Sequence, residues 1–193
     1  MATFTETEIR AAGRRRAGQS RTATARLNEE IALESSAMKT YDVFLSHSVK
    51  DAEIVLGVKA VLESHLKTVY VDWVDDPQLD GSRVNPATAD ALRARMQQCR
   101  TLIYVHTENS PTSRWMPWEL GYFDGFRGAV AILPVTATKV QEYKGQEYLG
   151  IYPYVDEGMV QFTTNRLRVR RGRTDNREWA AWAGDPRTFR VTG

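Results

Sequence analysis

The sequence predicts an α/β protein, a mainly parallel sheet with helices on both faces. Three observations carry this. Between residues 41 and 157, short apolar segments rich in β-branched and aromatic residues alternate with helix-patterned segments. Strands separated by single helices imply right-handed crossovers and parallel pairing. The segments AVAILPV (129–135) and TLIYV (101–105) are apolar almost throughout, as strands covered on both faces are.

Each element has its own signal. Residues 1–40 read as one or two short helices with Ile9, Leu27, Ile31 and Leu33 as apolar anchors. Tyr41 to Ser46, YDVFLS, is a short apolar run bounded by polar residues and reads as the first strand. Ile54, Val55, Val58, Val61, Leu62 and Leu66 recur at three- and four-residue spacing, one buried helix face. Asp51 is the expected N-cap, since its carboxylate can accept a free N–H of the first turn. Thr68 to Trp73, TVYVDW, is a second strand, and Asp75 to Pro86, with two prolines and a glycine, is a loop. Residues 87–98 hold strong helix formers, and Arg100 to Thr107 is a third strand.

Trp115 to Phe126 is a helix whose Pro117 fits the first turn, where a missing N–H costs nothing. Ala129 to Val135 is the fourth strand and Ile151 to Val155 the fifth; residues 136–150 show no clear period. The run from Arg166 to Arg171 reads as an edge strand with a charged outer face, or else as a basic patch. Residues 175–183 read as a terminal helix with Trp179 and Trp182 on one side. The expected division is a helical extension at 1–39, a core domain at 40–157 and a basic extension at 158–193.

Composition narrows the function classes. Of 193 residues, 42% are hydrophobic and 26% charged, which excludes a disordered, collagen-like or coiled-coil chain. Cys99 is the sole cysteine, so neither an intrachain disulfide nor a cysteine-built zinc site can form. No run approaches the ~18 apolar residues of a membrane span. The segment MATFTETEIRAAGRRR has no apolar core and is not expected to be a signal peptide; a cytoplasmic protein is expected. Residues 41–157 carry 11 Lys/Arg against 16 Asp/Glu, whereas 158–193 carry 8 against 3. An acidic body argues against nucleic acid as the main partner.

An open parallel sheet binds ligands outside the carboxyl ends of its strands. A phosphoryl-accepting receiver would need acidic residues there, but the first strand ends in Ser46-His47-Ser48 and the third in His106-Thr107. A dinucleotide or phosphate loop would need glycines after the first strand, and SHSVKD has none. His47, His65 and His106 show no metal-ligand spacing, so no metal and no bound cofactor are expected. The informative stretch is SRWMPWEL, 113–120. Trp115 and Glu119 are four apart and share a helix face, and the helix dipole should favour an ionised Glu119. Such a pair can bind a cationic ring with hydroxyls nearby; taken on composition alone, it reads first as the plain start of a helix with an acidic residue and core tryptophans.

YDVFLSHSVKDA, VYVDW followed by Asp80-Gly81, and SRWMPWELGYFDG resemble the three sequence boxes of a Toll/interleukin-1 receptor (TIR) domain, in a variant similar to bacterial TIR-like proteins. The resemblance covers about residues 40–157. It implies a flavodoxin-like five-stranded parallel sheet with a mobile loop at 74–86. It also implies cleavage of the nicotinamide–ribose bond of NAD⁺, with Glu119 as the catalytic glutamate and Trp115 four residues before it. The family's cysteine after that tryptophan is Met116 here. Ser46 matches the small residue ending the first strand, where the cleft floor should lie. His47 and Ser48 stand where some family enzymes have an aromatic residue and an arginine, which leaves the phosphates to Arg83 or Arg114; Asp80 and Gly81 complete the expected substrate-binding set.

Nicotinamide departs neutral, so the chemistry needs a carboxylate that stabilises an oxocarbenium-like ribose more than it needs an acid. Attack by water gives ADP-ribose, and attack by adenine gives a cyclic isomer. The resemblance further implies homo-oligomers through TIR–TIR contacts, a separate effector or sensor protein, and a role in bacterial anti-phage defence or signalling. Two other functions remain open: a non-catalytic module that self-associates or docks a partner TIR domain, and a nucleotide-binding sensor.

Overall fold

The structure is a computed structural model that describes residues 3–19, 21–34, 40–65, 67–72, 86–140, 143, 147–160, 164–172 and 175–186. Its strands are β1 (Phe4–Thr5), β2 (Tyr41–Ser46), β3 (Val69–Val71), β4 (Cys99–His106), β5 (Val130–Thr136), β6 (Tyr154–Val160), β7 (Thr164–Arg171) and β8 (Asp175–Glu178). Its helices are α1 (Glu6–Ala17), α2 (Ala23–Glu34), α3 (Ala52–Ser64), α4 (Pro86–Gln97), α5 (Trp115–Phe126) and α6 (Trp179–Gly184). The strand order is β3-β2-β4-β5-β6-β7-β8, and β1 pairs with the end of β5. Strands β3, β2, β4, β5 and β6 run parallel, which is the expected five-stranded flavodoxin-like core.

Side chains of a strand alternate between faces, and both faces of β2 are buried. Val43 and Leu45 enter one apolar layer with Ile54, Val55, Val58 and Leu62 of α3. Phe44 enters the other with Leu92 and Met96 of α4 and Met116, Leu120 and Phe123 of α5. This two-sided burial explains why the central strands read as unbroken apolar runs.

The N-terminal helices belong to the first layer. A capping box closes the start of α1: Glu8 N–H donates to Thr5 Oγ1, and Thr5 N–H donates to the Glu8 carboxylate. α1 crosses α3 at two glycines. A Cβ on Gly57 would lie 2.0 Å from the Ile9 carbonyl oxygen, and one on Gly13 would lie 2.3 Å from that of Glu53. Lys59, 1% exposed, is held at 2.5 Å by Glu63 and at 3.4 Å by Glu30, and Arg16 bridges the same two carboxylates. Ile9 and Leu27 are buried and Ile31 half-buried, but Leu33 is exposed, so it is no anchor.

Several expectations need correction. Asp51 precedes α3 but makes no side-chain cap; its carboxylate accepts from Thr107 Oγ1 and Asn109 Nδ2, both at 2.6 Å. The fifth strand begins at Tyr154, because Ile151 closes a 3₁₀ turn and is exposed. β7 is not an edge strand. It pairs with β6 and β8, and Arg170 is buried with its guanidinium 2.9 Å from Asp156. Residues 175–178 are strand, and the terminal helix begins only at Trp179. The core domain drawn at 40–157 would end within β6, and β7 and β8 continue the same sheet. The loop at 74–86 lies outside the described residues except Pro86, which opens α4.

Because Gly57 meets backbone rather than a flexible side chain, Gly57→Ala must push α1 away from α3. It should lower stability in urea by about 1–3 kcal/mol, the usual cost of overpacking. A variant as stable as the parent would show that α1 does not rest on α3 in solution.

Candidate functional site

Residue parity builds the site. Ser46 follows Phe44 toward the layer of α5, at the carboxyl end of β2. Pro117 sits in the first turn of α5, and Glu119 follows on the inward face. Ser46 Oγ donates to Glu119 Oε2 at 2.6 Å, and Glu119 is 6% exposed. Burial raises the Glu119 carboxyl to about 8; the Ser46 hydrogen bond pulls it down and the negative charge of Asp72 pushes it further up. Burial thus works against the ionised carboxylate that the start of α5 was expected to favour. Desolvation disfavours the charged form strongly in an apolar layer, whereas a helix terminus offers only about 0.3–1 kcal/mol in the ordinary case.

Two neighbours were not legible in the sequence. Tyr104 pairs in register with Ser46 and is buried. Burial is also the main reason its phenol is pushed up to about 12, to which Tyr148 and Glu119 add and which a Ser110 hydrogen bond opposes. Asp72 stands one residue beyond β3 and acts on Glu119 through its charge. Alternation marks Tyr104 as facing one side of β4, but only the β2–β4 register sets it beside Ser46.

The other expected residues fall in different places. Trp115 is half-buried against the α4–α5 layer, edge-on to Trp118 at 5.4 Å. His47 is buried with Nδ1 2.8 Å from the Leu45 carbonyl oxygen; burial lowers its pKa, against the charge of Asp51. Ser48 is buried and accepts the Lys50 N–H at 3.3 Å, capping a short turn. Arg114 is exposed at the start of α5. Asp80, Gly81 and Arg83 lie outside the described residues. The structure thus joins Ser46 to Glu119, keeps Trp115 on the same helix and puts His47 and Ser48 in the adjoining turn. Asp51 ties that turn to the loop after β4 through Thr107 and Asn109.

A family model described as TIR domain matches residues 43–166, more than half of the chain. A relative from Bacillus cereus (strain MSX-D12), named "Probable 3' cyclic ADP-D-ribose synthase ThsB'", is 54% identical over 123 residues, 63% of this chain and 64% of the relative. Another, from Cytobacillus dafuensis, named "Putative cyclic ADP-D-ribose synthase TIR2", is 34% identical over 85 residues, 44% of this chain and 22% of the relative. The match thus spans less than two thirds of the length of either relative. Among the described residues, no helix is long and apolar enough to cross a membrane.

The buried carboxyl has a thermodynamic signature. In the fold Glu119 holds its proton up to about 8, while an unfolded chain releases it near the ordinary 4.5. The folded form binds the proton more tightly, so this group's contribution to stability falls as pH climbs from about 4.5 to about 8. Glu119→Gln keeps an acceptor for Ser46 and cannot ionise. It should be more stable than the parent by on the order of 2–4 kcal/mol at pH 8, with the difference closing toward pH 4.5. Parallel urea-stability curves for the two proteins across that range would overturn the burial argument.

Proposed function

This chain belongs to the TIR domain family, and on that premise we propose that it cleaves the nicotinamide–ribose bond of NAD⁺ and closes the ADP-ribosyl product into a cyclic isomer. The observation that carries the proposal is the buried Ser46–Glu119 pair at the carboxyl edge of the parallel sheet, on a helix that also presents Trp115. The names of the two relatives support the cyclic product over the linear one.

The chemistry follows from the charge of the groups. In NAD⁺ the bond from ribose C1 to the pyridinium nitrogen breaks with its electron pair going to nitrogen, and nicotinamide leaves neutral. The ribosyl fragment is left as an oxocarbenium-like cation. A carboxylate beside it stabilises that charge far more in a dry site than in water. Burial biases Glu119 toward its protonated form in the free protein, so substrate binding must favour its ionisation. A cationic pyridinium nearby favours the charged carboxylate by the same electrostatics that Asp72 uses to oppose it. Ser46 holds one carboxylate oxygen in place, and Trp115 would line the nicotinamide side, since an indole face attracts a cation. A nucleophile elsewhere on the same ADP-ribosyl unit then attacks C1 and loses its proton, giving the cyclic isomer; water in its place would give ADP-ribose. His47, Ser48, Asp80, Gly81, Arg83 and Arg114 complete the proposed substrate contacts. The proposed setting is a bacterial cytoplasm, with the product acting as a defence signal to a separate effector.

Two measurements test the chemistry. Glu119→Gln should reduce nicotinamide release by roughly 10²-fold or more, the scale of losing one stabilising group; a folded variant with near-parental turnover would remove Glu119 from the mechanism. The ionised carboxylate is the active form, so kcat/KM for NAD⁺ should rise with pH toward and beyond about 8. A profile that falls over that range would mean that the protonated acid acts instead.

Assembly is a further part of the proposal. Leu79 and Val84 are, prolines aside, the apolar side chains within the polar stretch from Asp75 to Pro86, and loops of this length are commonly functional. Specific activity should climb with protein concentration, and Leu79→Asp with Val84→Asp should weaken self-association seen by light scattering. A double variant that is monomeric yet fully active would show that one chain completes the cleft.

A further inference from the structure

The opposite edge of the sheet carries a second cavity. Asp42, Arg100 and Ala129 stand at or beside the starts of β2, β4 and β5, with Lys67 just before β3 and Arg127 just after α5. Together with one side of α6 they line a cavity of about 510 Å³. That size suits a small organic ligand, for which pockets run about 300–1,000 Å³. Glu119 and Ser46 lie at the carboxyl ends of the same strands, so this cavity is separate from the candidate active site.

Its cations are not held by carboxylates of the described residues. The arginines of α1 and α2 are largely neutralised: Arg10, Arg14, Arg16 and Arg26 each hold a carboxylate. Among the described residues, Lys67, Arg100 and Arg127 make no ion pair. Lys67 lies 5.9 Å from the Trp179 ring and Arg127 lies 5.4 Å from that of Phe126. Among the described residues, Asp42 is the one carboxylate in the lining, and it is already engaged, accepting from Thr68 N–H at 2.9 Å and Thr68 Oγ1 at 3.0 Å. Three cations around one occupied carboxylate repel one another and leave a net positive cavity. Ala180, Ala183, Gly184 and Pro186 give it an apolar wall.

We propose that this cavity binds a phosphorylated small molecule of nucleotide size. Guanidinium forks match phosphate oxygens in geometry, and charge-assisted hydrogen bonds to phosphate are the strong ones. The apolar wall of α6 would take the organic portion. The inference does not depend on the activity proposed for Glu119.

The test uses the full chain and inorganic pyrophosphate as probe, by titration calorimetry at low salt with sulfate as the control anion. Pyrophosphate should bind one per chain and more tightly than sulfate. Arg100→Gln with Arg127→Gln should weaken it by roughly tenfold or more, while R100K/R127K, which keeps the charge but loses the fork, should fall between the parent and R100Q/R127Q. Glu119→Gln should leave it unchanged, and NAD⁺ consumption should survive R100Q/R127Q. Undetectable pyrophosphate binding, or equal binding by parent and R100Q/R127Q, would overturn the proposal. So would a single-stranded oligonucleotide that binds with the same R100Q/R127Q sensitivity while pyrophosphate does not, because that surface would then read a polymer.

Discussion

Burial of β2 on both faces is the constraint from which the rest of the molecule follows. With apolar layers above and below, the parity of each residue decides which layer its side chain enters. Val43 and Leu45 go to α3, and Phe44 goes to α4 and α5. Ser46 has the parity of Phe44 and therefore meets Glu119. A one-residue slip of β2 would send Ser46 to the α3 side and leave a buried carboxyl without its hydroxyl partner. Register in a two-sided sheet is thus also the register of the site.

The same low-dielectric layer governs the electrostatics. Glu119 is biased toward its protonated form because desolvation outweighs the start of α5. A carboxyl in this state gives up stability at higher pH and in return waits for a positive charge. Elsewhere burial is compensated within the chain: Lys59 is enclosed by Glu30 and Glu63, and Arg170 by Asp156. Removing one partner of such a pair would leave an uncompensated buried charge, which costs far more than the intact pair contributes. The amino edge of the sheet differs from both. Lys67, Arg100 and Arg127 make no ion pair among the described residues and share the lining of their cavity with Asp42.

The segments outside the central strands are built into the same layers. α1 fits against α3 because Gly13 and Gly57 let the backbones approach, and β1 adds to the end of β5 at Val135 and Thr136. At the other end, α6 sends Trp179 and Trp182 into the α3 layer, edge-on to each other at 5.3 Å. Both extensions therefore shape the edges of the sheet: α1 flanks the carboxyl edge through Glu6 and Arg10, and α6 walls the amino edge.

What was legible in the sequence is local. The apolar runs of β2, β4 and β5, the periodic face of α3 and the Pro117-marked start of α5 stand out because strand and helix periods are printed in the order of residues. The pairing of Trp115 with Glu119 on one helix is legible for the same reason. Register, burial and partners are not local, and each miss traces to one of them. Arg166–Arg171 reads as an edge because an alternating charged strand looks the same whether or not another strand follows it; β8 does follow. Asp51 reads as a cap, yet Thr107 and Asn109, more than fifty residues away, take its carboxylate. The sequence by itself determined that a parallel sheet would form and that a glutamate would sit early in the fifth helix. Only the tertiary structure decided that this glutamate is dry, bonded to Ser46 and pushed toward its protonated form, because desolvation depends on what surrounds a group in space and not on its neighbours along the chain.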